Sequence, residues 1–175
     1  PSGWQYEEAA PIGEGAHYAL NNIKASGIGK GQHALVYGAS GAIGSSAVQL
    51  LKYYGVHVSA FCNQKNKRLV KSLGADLVID YETQDFTKTE QRFNFIFDAV
   101  GKSSFGECKP LLTKNGIYIS TQLGKNGENV FLALWTSIFK GKRVLFPMPV
   151  TQKADFEFLR DFHQISKFMV DLCNM

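Results

Sequence analysis

A glycine-rich turn between a buried strand and an amphipathic helix most constrains how this chain folds. The segment, LVYGASGAIGSSAV, runs from Leu35 to Val48. A side chain at Gly41 would keep the backbone from closing on a pyrophosphate, and one at Gly44 would push the helix off the strand. Free N–H groups and the positive dipole end at the helix start would then hold phosphates. The segment therefore predicts a dinucleotide-binding turn, with Ala39 in place of the first glycine of the GxGxxG pattern.

Two rival phosphate loops are excluded by the residues present. Residues 101–104, GKSS, resemble the end of a Walker A loop, but Ile96 stands where its first glycine is required. A short-chain dehydrogenase would need glycine in place of Ala42 and a Tyr-x-x-x-Lys pair, which the sequence lacks. A tight turn without a ligand remains the alternative. The predicted pyrophosphate contacts are Ala39, Ser40, Gly41, Ala42, Ile43 and Gly44.

Apolar runs of strand length alternate with helical segments along the chain. The predicted strands are His33–Gly38, Val56–Phe61, Asp76–Ile79, Phe93–Asp98, Gly116–Ser120 and Arg143–Phe146, and the predicted helices between them are Ile43–Tyr54, Asn66–Leu73, Ser104–Leu112 and Val130–Phe139. The strands are almost continuously apolar, as burial on both faces of a parallel sheet requires. The alternation predicts an α/β fold, a Rossmann-type doubly wound six-stranded parallel sheet with helices on both faces.

The whole chain, 1–175, is predicted to form one NAD(P)-binding domain. Its parts are a leading helix within about 1–28, a βα core over 33–148 and a C-terminal helix over 153–172. The leading helix is placed at Glu7–Lys24. The C-terminal segment carries apolar residues at helical spacing, namely Phe158, Phe162, Ile165, Met169 and Leu172. This stripe either covers the core or connects to a second domain.

Composition excludes several classes of protein. The hydrophobic content of 45% and charged content of 19% are those of an ordinary globular domain. The net charge of +4 is dispersed along the chain, and no apolar stretch approaches the length of a membrane span. We therefore expect neither a nucleic-acid nor a membrane partner. Three scattered cysteines, Cys62, Cys108 and Cys173, predict reduced thiols in a cytoplasmic protein, without disulfides or a structural zinc.

The end of the second predicted strand favours NADPH over NADH. An NAD site usually ends this strand with Asp or Glu, which binds the ribose hydroxyls. Residues 61–68 read FCNQKNKR, so they carry three cations and no carboxylate where a 2′-phosphate would lie. The predicted contacts in this segment are Asn63, Lys65 and Lys67. The alternative is a solvated basic first turn of a helix.

Three ordered motifs identify a family resemblance. GASGAIGSSAVQLLKYYG, then LVKSLGADLVIDY, then FIFDAVG resemble the quinone oxidoreductase branch of the medium-chain dehydrogenases/reductases. The motifs are also similar to those of the plant-type zinc-free alkenal and enone reductases, and the similarity extends from Tyr6 to at least Met148. It implies a zinc-independent enzyme that transfers hydride from NADPH to a small quinone or α,β-unsaturated carbonyl. The substrate domain of such an enzyme lies mostly outside this chain.

The resemblance also implies where the cofactor lies. The turn Gly41–Ile43 would hold the pyrophosphate, while Asn63–Lys67 and Tyr81 would surround the 2′-phosphate. Val100 and Gly101, with Thr121 and Leu123 of the segment after the fifth strand, would line the nicotinamide ribose and ring. The alternatives are structural: Tyr81 caps a strand, Asp98 is a strand-end turn residue, and 121–123 is a loop.

Two departures from the family pattern affect the chemistry. Pro11 stands where zinc-dependent relatives carry a metal-ligand cysteine, so we expect no catalytic zinc in this segment. Gly15-Ala16 replaces a Thr-Ala pair whose threonine touches the nicotinamide carboxamide in many relatives. The catalytic residues are unknown and are expected in the absent domain, with His17 and His163 as weak general-acid candidates.

Several readings of assembly and function remain open. The segment Gly141–Val150 has a short apolar strand followed by two prolines, typical of an exposed edge strand, and related reductases pair through such strands. We therefore predict a homodimer. The alternatives to an enzyme domain of this kind are a non-catalytic dinucleotide-binding module and the NAD(P)-binding domain of a zinc-dependent alcohol dehydrogenase.

Overall fold

Six parallel strands form one sheet in the order β3-β2-β1-β4-β5-β6 in a computed structural model of the chain. The structure describes residues 15–124, 127–138, 141–148 and 150–165, and of residues 163–165 it describes only the backbone. The strands are β1 (His33–Tyr37), β2 (His57–Cys62), β3 (Leu77–Asp80), β4 (Phe93–Asp98), β5 (Leu112–Ser120) and β6 (Arg143–Leu145). This order is that of a doubly wound Rossmann sheet, which confirms the predicted fold class.

Helices cover both faces of the sheet. They are α1 (His17–Ser26), α2 (Ala42–Tyr53), α3 (Lys67–Ser72), α4 (Phe105–Cys108), α5 (Glu128–Ile138) and α6 (Lys153–Ile165), with short 3-10 turns at Gln64–Asn66, Phe86–Lys88 and Lys109–Leu111. Strand β1 shows why two cores form. Ala34 and Val36 point into the core that α1, α2 and α6 complete, while Leu35 points into the core beside α4 and α5.

The segment between β4 and β5 differs most from the prediction. The predicted helix Ser104–Leu112 is a four-residue helix followed by a 3-10 turn that contains Pro110, which lacks the N–H that a continued helix would use. Strand β5 therefore begins at Leu112, which pairs with Phe93, rather than at Gly116. The register shifts next to Phe93, and a Cβ on Gly116 would lie 2.9 Å from the Phe93 carbonyl oxygen.

Helix α6 packs its aromatic stripe against α2. Phe162 is buried, and its ring lies 5.2 Å from that of Tyr53, while Phe158 stacks at 6.3 Å on Tyr54. The buried carboxylate of Asp155 pairs with the ammonium of Lys24 on α1. The described part of the stripe therefore covers the core. Ile165, Met169 and Leu172 fall outside the described side chains, as the predicted start of the leading helix falls outside the described residues.

Strand β6 is an edge of the sheet, as expected for the segment that contains it. The β6 backbone is fixed to α5, because the Thr136 hydroxyl accepts the Val144 N–H at 3.0 Å. The outer face of α5 is exposed and apolar; its large side chains are Phe131, Leu134, Trp135 and Ile138. Of the helices within the described ranges, none has the length and apolar character needed to cross a membrane.

Candidate functional site

The turn after β1 contains two glycines where a side chain would clash and one where a side chain would fit. Gly38 has φ +79°, and a Cβ there would lie 2.5 Å from Cγ1 of Val100. A Cβ on Gly44 would lie 2.8 Å from the carbonyl carbon of Gly38, so helix α2 could not approach the turn as it does. Gly41 is exposed, and its nearest neighbour would be 3.6 Å away. The open side of the turn is therefore at Gly41, where the pyrophosphate is predicted.

The N-terminus of α2 has the composition of an anion site. Gly41 is the N-cap, no side chain caps it, and the first turn holds no acidic residue. The N–H groups of Ala42, Ile43 and Gly44 belong to the first turn, where a helix supplies no carbonyl partner. The positive end of the α2 dipole is therefore left for an anion to neutralise. These features fit a pyrophosphate.

Ala39 and Gly38 fix the turn to the end of β2. Ala39 is wholly buried in the core, and its N–H donates to the Phe61 carbonyl at 3.0 Å. The N–H of Gly38 donates to the same carbonyl at 3.1 Å. Ser40 is half-buried. The small side chain at position 39 thus allows the turn to pack against the end of β2, while residues 41 and 42 are exposed to solvent.

The loop after β4 packs against both the turn after β1 and the loop after β5. Val100, 38% exposed, packs against the turn at Gly38, as the glycine geometry above requires. Gly101 has φ +68°, and a Cβ there would lie 2.5 Å from Cβ of Gln122. A cleft of about 610 Å³ opens beside these loops and is lined by Val100, Gly101, Gln122 and Leu123 among others. The structure therefore brings the predicted nicotinamide residues to one edge of the sheet, with Thr121 half-buried between β5 and Leu123.

The predicted adenosine residues meet at the ends of β2 and β3. Tyr81 donates its N–H to the Cys62 carbonyl at 3.3 Å, and its exposed ring stacks on Tyr37 with a centroid distance of 6.2 Å. Asn63 begins the 3-10 turn, where its side-chain oxygen accepts the Asn66 N–H. Lys65 is exposed on that turn. The Tyr37 ring was not expected from the sequence, which identified the residue only as part of the first strand.

A buried carboxylate that the sequence argument missed lies beside Lys67. Asp80 ends β3 and is 2% exposed, and its Oδ2 lies 3.9 Å from the Lys67 ammonium. Its Oδ1 accepts the Glu82 N–H, which shapes the turn at Tyr81. The predicted excess of positive charge came from residues 61–68 alone and did not include Asp80 at the end of the third strand. Because β2 and β3 pair in parallel, with Cys62 opposite Asp80, the two strands end at the same place.

Neither described cysteine has the character of a reactive thiol. Cys62 and Cys108 are free and buried. Burial raises the pKa of the Cys62 thiol, and the neighbouring Asp80 adds to the rise. Burial likewise raises the pKa of Cys108 to about 12. Both thiols therefore stay protonated near neutral pH, and neither supplies a nucleophile.

His17 lies between α1 and α6, where it is 6% exposed and its ring stacks on Phe156 at 4.7 Å. Its Nε2 has no hydrogen-bond partner among the described residues and lies 3.9 Å from Asp155 Oδ2. This packing favours a structural role over proton transfer. The side chain of His163 is outside the described part, as is Pro11. Among described side chains, no group of three His, Cys, Asp or Glu residues could hold a metal ion.

Gly15, just before α1, lies close to the first turn of α2. A Cβ on Gly15 would lie 3.0 Å from both the carbonyl carbon and the carbonyl oxygen of Ala42. The chain before α1 therefore approaches the first turn of α2 too closely for a larger residue without a shift of backbone. Gly15 thus packs closely on the helix turn where the pyrophosphate is predicted.

Comparison with known proteins decides the family. A family model described as zinc-binding dehydrogenase matches residues 42–163. The chain belongs to the zinc-binding dehydrogenase family. It is 37% identical over 159 residues to the chloroplast envelope quinone oxidoreductase homolog of Arabidopsis thaliana. The aligned region covers 84% of this chain and 46% of that protein. It is 36% identical over 145 residues to the mitochondrial NAD(P)H oxidoreductase RTN4IP1 of Danio rerio, covering 76% of this chain and 38% of that protein.

A structural neighbour places this member of the zinc-binding dehydrogenase family on the same fold. The quinone oxidoreductase of Thermus thermophilus, solved alone and in complex with NADPH, superposes with a TM-score of 0.68 at 23% identity. The match covers 93% of this chain and 54% of that one. The predicted resemblance to the quinone oxidoreductase branch is confirmed. The chain spans less than half the length of these curated relatives and corresponds to the cofactor-binding domain of the medium-chain fold.

Proposed function

We propose that this chain is the NADPH-binding domain of an oxidoreductase that transfers hydride to a quinone or an α,β-unsaturated carbonyl. The observation that carries the proposal is the uncapped N-terminus of α2, open at Gly41, within the cofactor-binding domain of this family. The names of the relatives support the reaction class, since they are quinone and NAD(P)H oxidoreductases. The Thermus thermophilus enzyme, which shares the fold, was solved with NADPH.

Each predicted residue then has a part in cofactor binding. The backbone amides of Ala42, Ile43 and Gly44 would hold the pyrophosphate, while Ala39, Ser40 and Gly41 form the turn that leaves room for it. Asn63, Lys65, Lys67 and Tyr81 surround the 2′-phosphate. Val100 and Gly101, with Thr121 and Leu123, hold the nicotinamide ribose and ring. The positive charge of Lys65 and Lys67 supports NADPH over NADH, because a 2′-phosphate adds nearly two negative charges.

The chemistry that the cofactor supplies is a hydride on its nicotinamide ring. This domain would contribute orientation, because the loops after β4 and β5 would hold the nicotinamide ring and so limit where the acceptor carbon can approach. The groups that polarise the acceptor carbonyl and exclude water are expected in the substrate domain, elsewhere in the parent protein. We therefore assign no catalytic residue to this chain.

The assembly that we propose is a homodimer through β6. This strand is an edge of the sheet and continues into Pro147, as an edge segment permits. Two copies would extend the sheet across a two-fold axis. Sedimentation velocity tests the proposal: a dimer is expected at micromolar concentration, and a monomer at high micromolar concentration would contradict it.

The proposed location is the cytoplasm, supported by the free, buried Cys62 and Cys108. The curated relatives bear the names of two organelles, the chloroplast envelope and the mitochondrion. Cell fractionation of the parent protein decides between these compartments. Recovery with an organelle fraction would overturn the cytoplasmic assignment and leave the binding proposal intact.

Cofactor titration of the chain tests the proposed function. We expect NADPH to bind with an enhanced nicotinamide fluorescence and a lower Kd than NADH. Calorimetry on the same samples gives the stoichiometry, for which one site per chain is expected. Equal affinity for the two cofactors would overturn the NADPH assignment. Absence of binding to both, in a chain shown to be folded by circular dichroism, would overturn the cofactor-binding role itself.

A further inference from the structure

Asp98 is a wholly buried carboxylate at the carboxyl end of β4, beside the candidate nicotinamide site. Its Oδ1 accepts the N–H groups of Val100 at 3.1 Å and Gly101 at 2.7 Å. Its Oδ2 accepts both the N–H of Ser103, at 2.7 Å, and the Ser103 hydroxyl, at 2.8 Å. None of the ion pairs among the described residues involves Asp98. Four donors from one loop thus converge on this carboxylate.

The loop is held by hydrogen bonds and close backbone contacts rather than by buried apolar surface. Val100 is 38% exposed, and Gly101 and Lys102 are exposed, so the loop buries little apolar surface. Its far end is fixed because the Tyr118 hydroxyl donates to the Ser103 carbonyl at 2.9 Å. Gly101 has a positive φ of +68°, and it lies between its own N–H, which donates to Oδ1, and the Ser103 N–H, which donates to Oδ2. Among these contacts, the bonds to Asp98 are the ones that fix the amides of Val100 and Gly101.

This path determines how the predicted parts of the site meet. Val100 packs on the turn at Gly38, and Gly101 lies against Gln122 of the loop after β5. The adenosine end is held by different contacts, such as the bond from the Tyr81 N–H to the Cys62 carbonyl. A change in the loop should thus alter the nicotinamide end of the candidate site and leave the adenosine end in place.

We infer that Asp98 is a positioning residue, which sets the backbone of Val100 and Gly101 at the distance that the nicotinamide half of the cofactor requires. The inference rests on the proposed function, because it assumes that a nicotinamide cofactor occupies the candidate site. It goes beyond that function in assigning the geometry of one half of the site to a residue that touches no part of the cofactor.

Asp98→Asn tests the inference, because asparagine keeps the size of the side chain and one acceptor oxygen. Its NH₂ group must face either Ser103 or the amides of Val100 and Gly101, so one side of the loop loses its acceptor. Two ligands are titrated into each protein: NADPH and adenosine 2′,5′-bisphosphate, which has the adenosine half alone. We expect the Kd for NADPH to rise about tenfold and that for the bisphosphate to change by less than about twofold.

Leu112→Ala serves as the matched control. Leu112 is buried at the start of β5, at the opposite end of the strand from the loop, so its truncation lowers the unfolding midpoint without reaching the cleft. Both Kd values are expected to stay at those of the unmodified chain. Ser103→Ala is the milder variant, which removes one hydroxyl donor and should weaken NADPH by about twofold to threefold and leave the bisphosphate unchanged.

The outcomes separate the inference from the proposed function. Equal weakening of both ligands in Asp98→Asn, or no weakening of NADPH, overturns the positioning role. If Asp98→Asn does not fold, Ser103→Ala decides by the same two Kd values. Hydrogen exchange of the unmodified chain adds a direct check, since the Val100, Gly101 and Ser103 amides should be protected without ligand; rapid exchange of all three overturns the inference. Failure of the unmodified chain to bind either ligand overturns the proposed function instead.

Discussion

The ammonium of Lys67 lies 3.9 Å from the buried carboxylate of Asp80, across the ends of two neighbouring strands. Part of the positive charge at the proposed 2′-phosphate site is therefore already balanced within the protein. Lys65 is exposed on the preceding 3-10 turn, and no described ion pair involves it. The two lysines should thus differ in how strongly they favour a phosphate.

Replacement of Lys65 and Lys67 together with alanine should reduce NADPH affinity by about one order of magnitude or more and leave NADH nearly unchanged. The dependence of NADPH binding on salt concentration should weaken, because two charge contacts are lost. Fluorescence titrations at several ionic strengths measure both effects. Lys153→Ala, which removes a charge from α6, is the matched control. Equal loss of the two cofactors in the double variant would show that these lysines are ordinary surface charges.

Asp80→Asn should increase the preference for NADPH by roughly threefold to tenfold. The amide keeps the acceptor oxygen for the Glu82 N–H, so the turn at Tyr81 is retained, while the negative charge beside Lys67 disappears. The Kd ratio of NADH to NADPH is the measured quantity. In a Lys67→Ala background the gain should be smaller, since the paired cation is missing. An unchanged ratio would mean that Asp80 does not affect the phosphate site.

Gly41→Val should abolish NADPH binding in a folded domain, whereas Gly44→Ala should destabilise the domain itself. The Cβ of valine at position 41 would lie 3.6 Å from the Gly38 carbonyl oxygen, an ordinary contact, and φ there is −79°, so the domain should fold. Its methyl groups should occupy the pyrophosphate position and abolish NADPH binding. Alanine at position 44 meets the backbone of Gly38, so unfolding should become easier by about 1–3 kcal/mol. Thermal unfolding and NADPH titration of both variants check the pair. Normal affinity in folded Gly41→Val would place the site elsewhere.

The buried Cys108 predicts a loss of stability at alkaline pH. Burial raises the pKa of its thiol from 9.0 to about 12, so between these values the unfolded chain releases a proton that the folded chain keeps. Deprotonation then favours unfolding, and the stability present below pH 9 declines as the pH rises towards 12. Urea unfolding across this range measures the slope, which should be smaller in Cys108→Ala. The native thiol should also react slowly with a disulfide reagent until the chain unfolds.

Much of the fold was predictable because its signals are local. The small residues around Gly41 and the apolar runs on either side identify a βαβ unit without knowledge of any contact, and the strand Phe93–Asp98 has the predicted bounds. The segment after Ser104 was predicted poorly. Its helix ends early at the 3-10 turn with Pro110, and Leu112 joins β5 because pairing with Phe93 outweighs local helix preference.

The site was predictable as a set of segments but not as an arrangement. The sequence by itself determined the glycine-rich turn, the basic strand end and the family motifs, since each lies within a few consecutive residues. The tertiary structure alone decided that Asp80 lies beside Lys67, that Tyr37 stacks on Tyr81, and that the loop held by Asp98 contacts both neighbouring loops. The physical reason is that parallel strands end at one edge of a sheet whatever their separation in sequence, so the strand order sets which side chains meet.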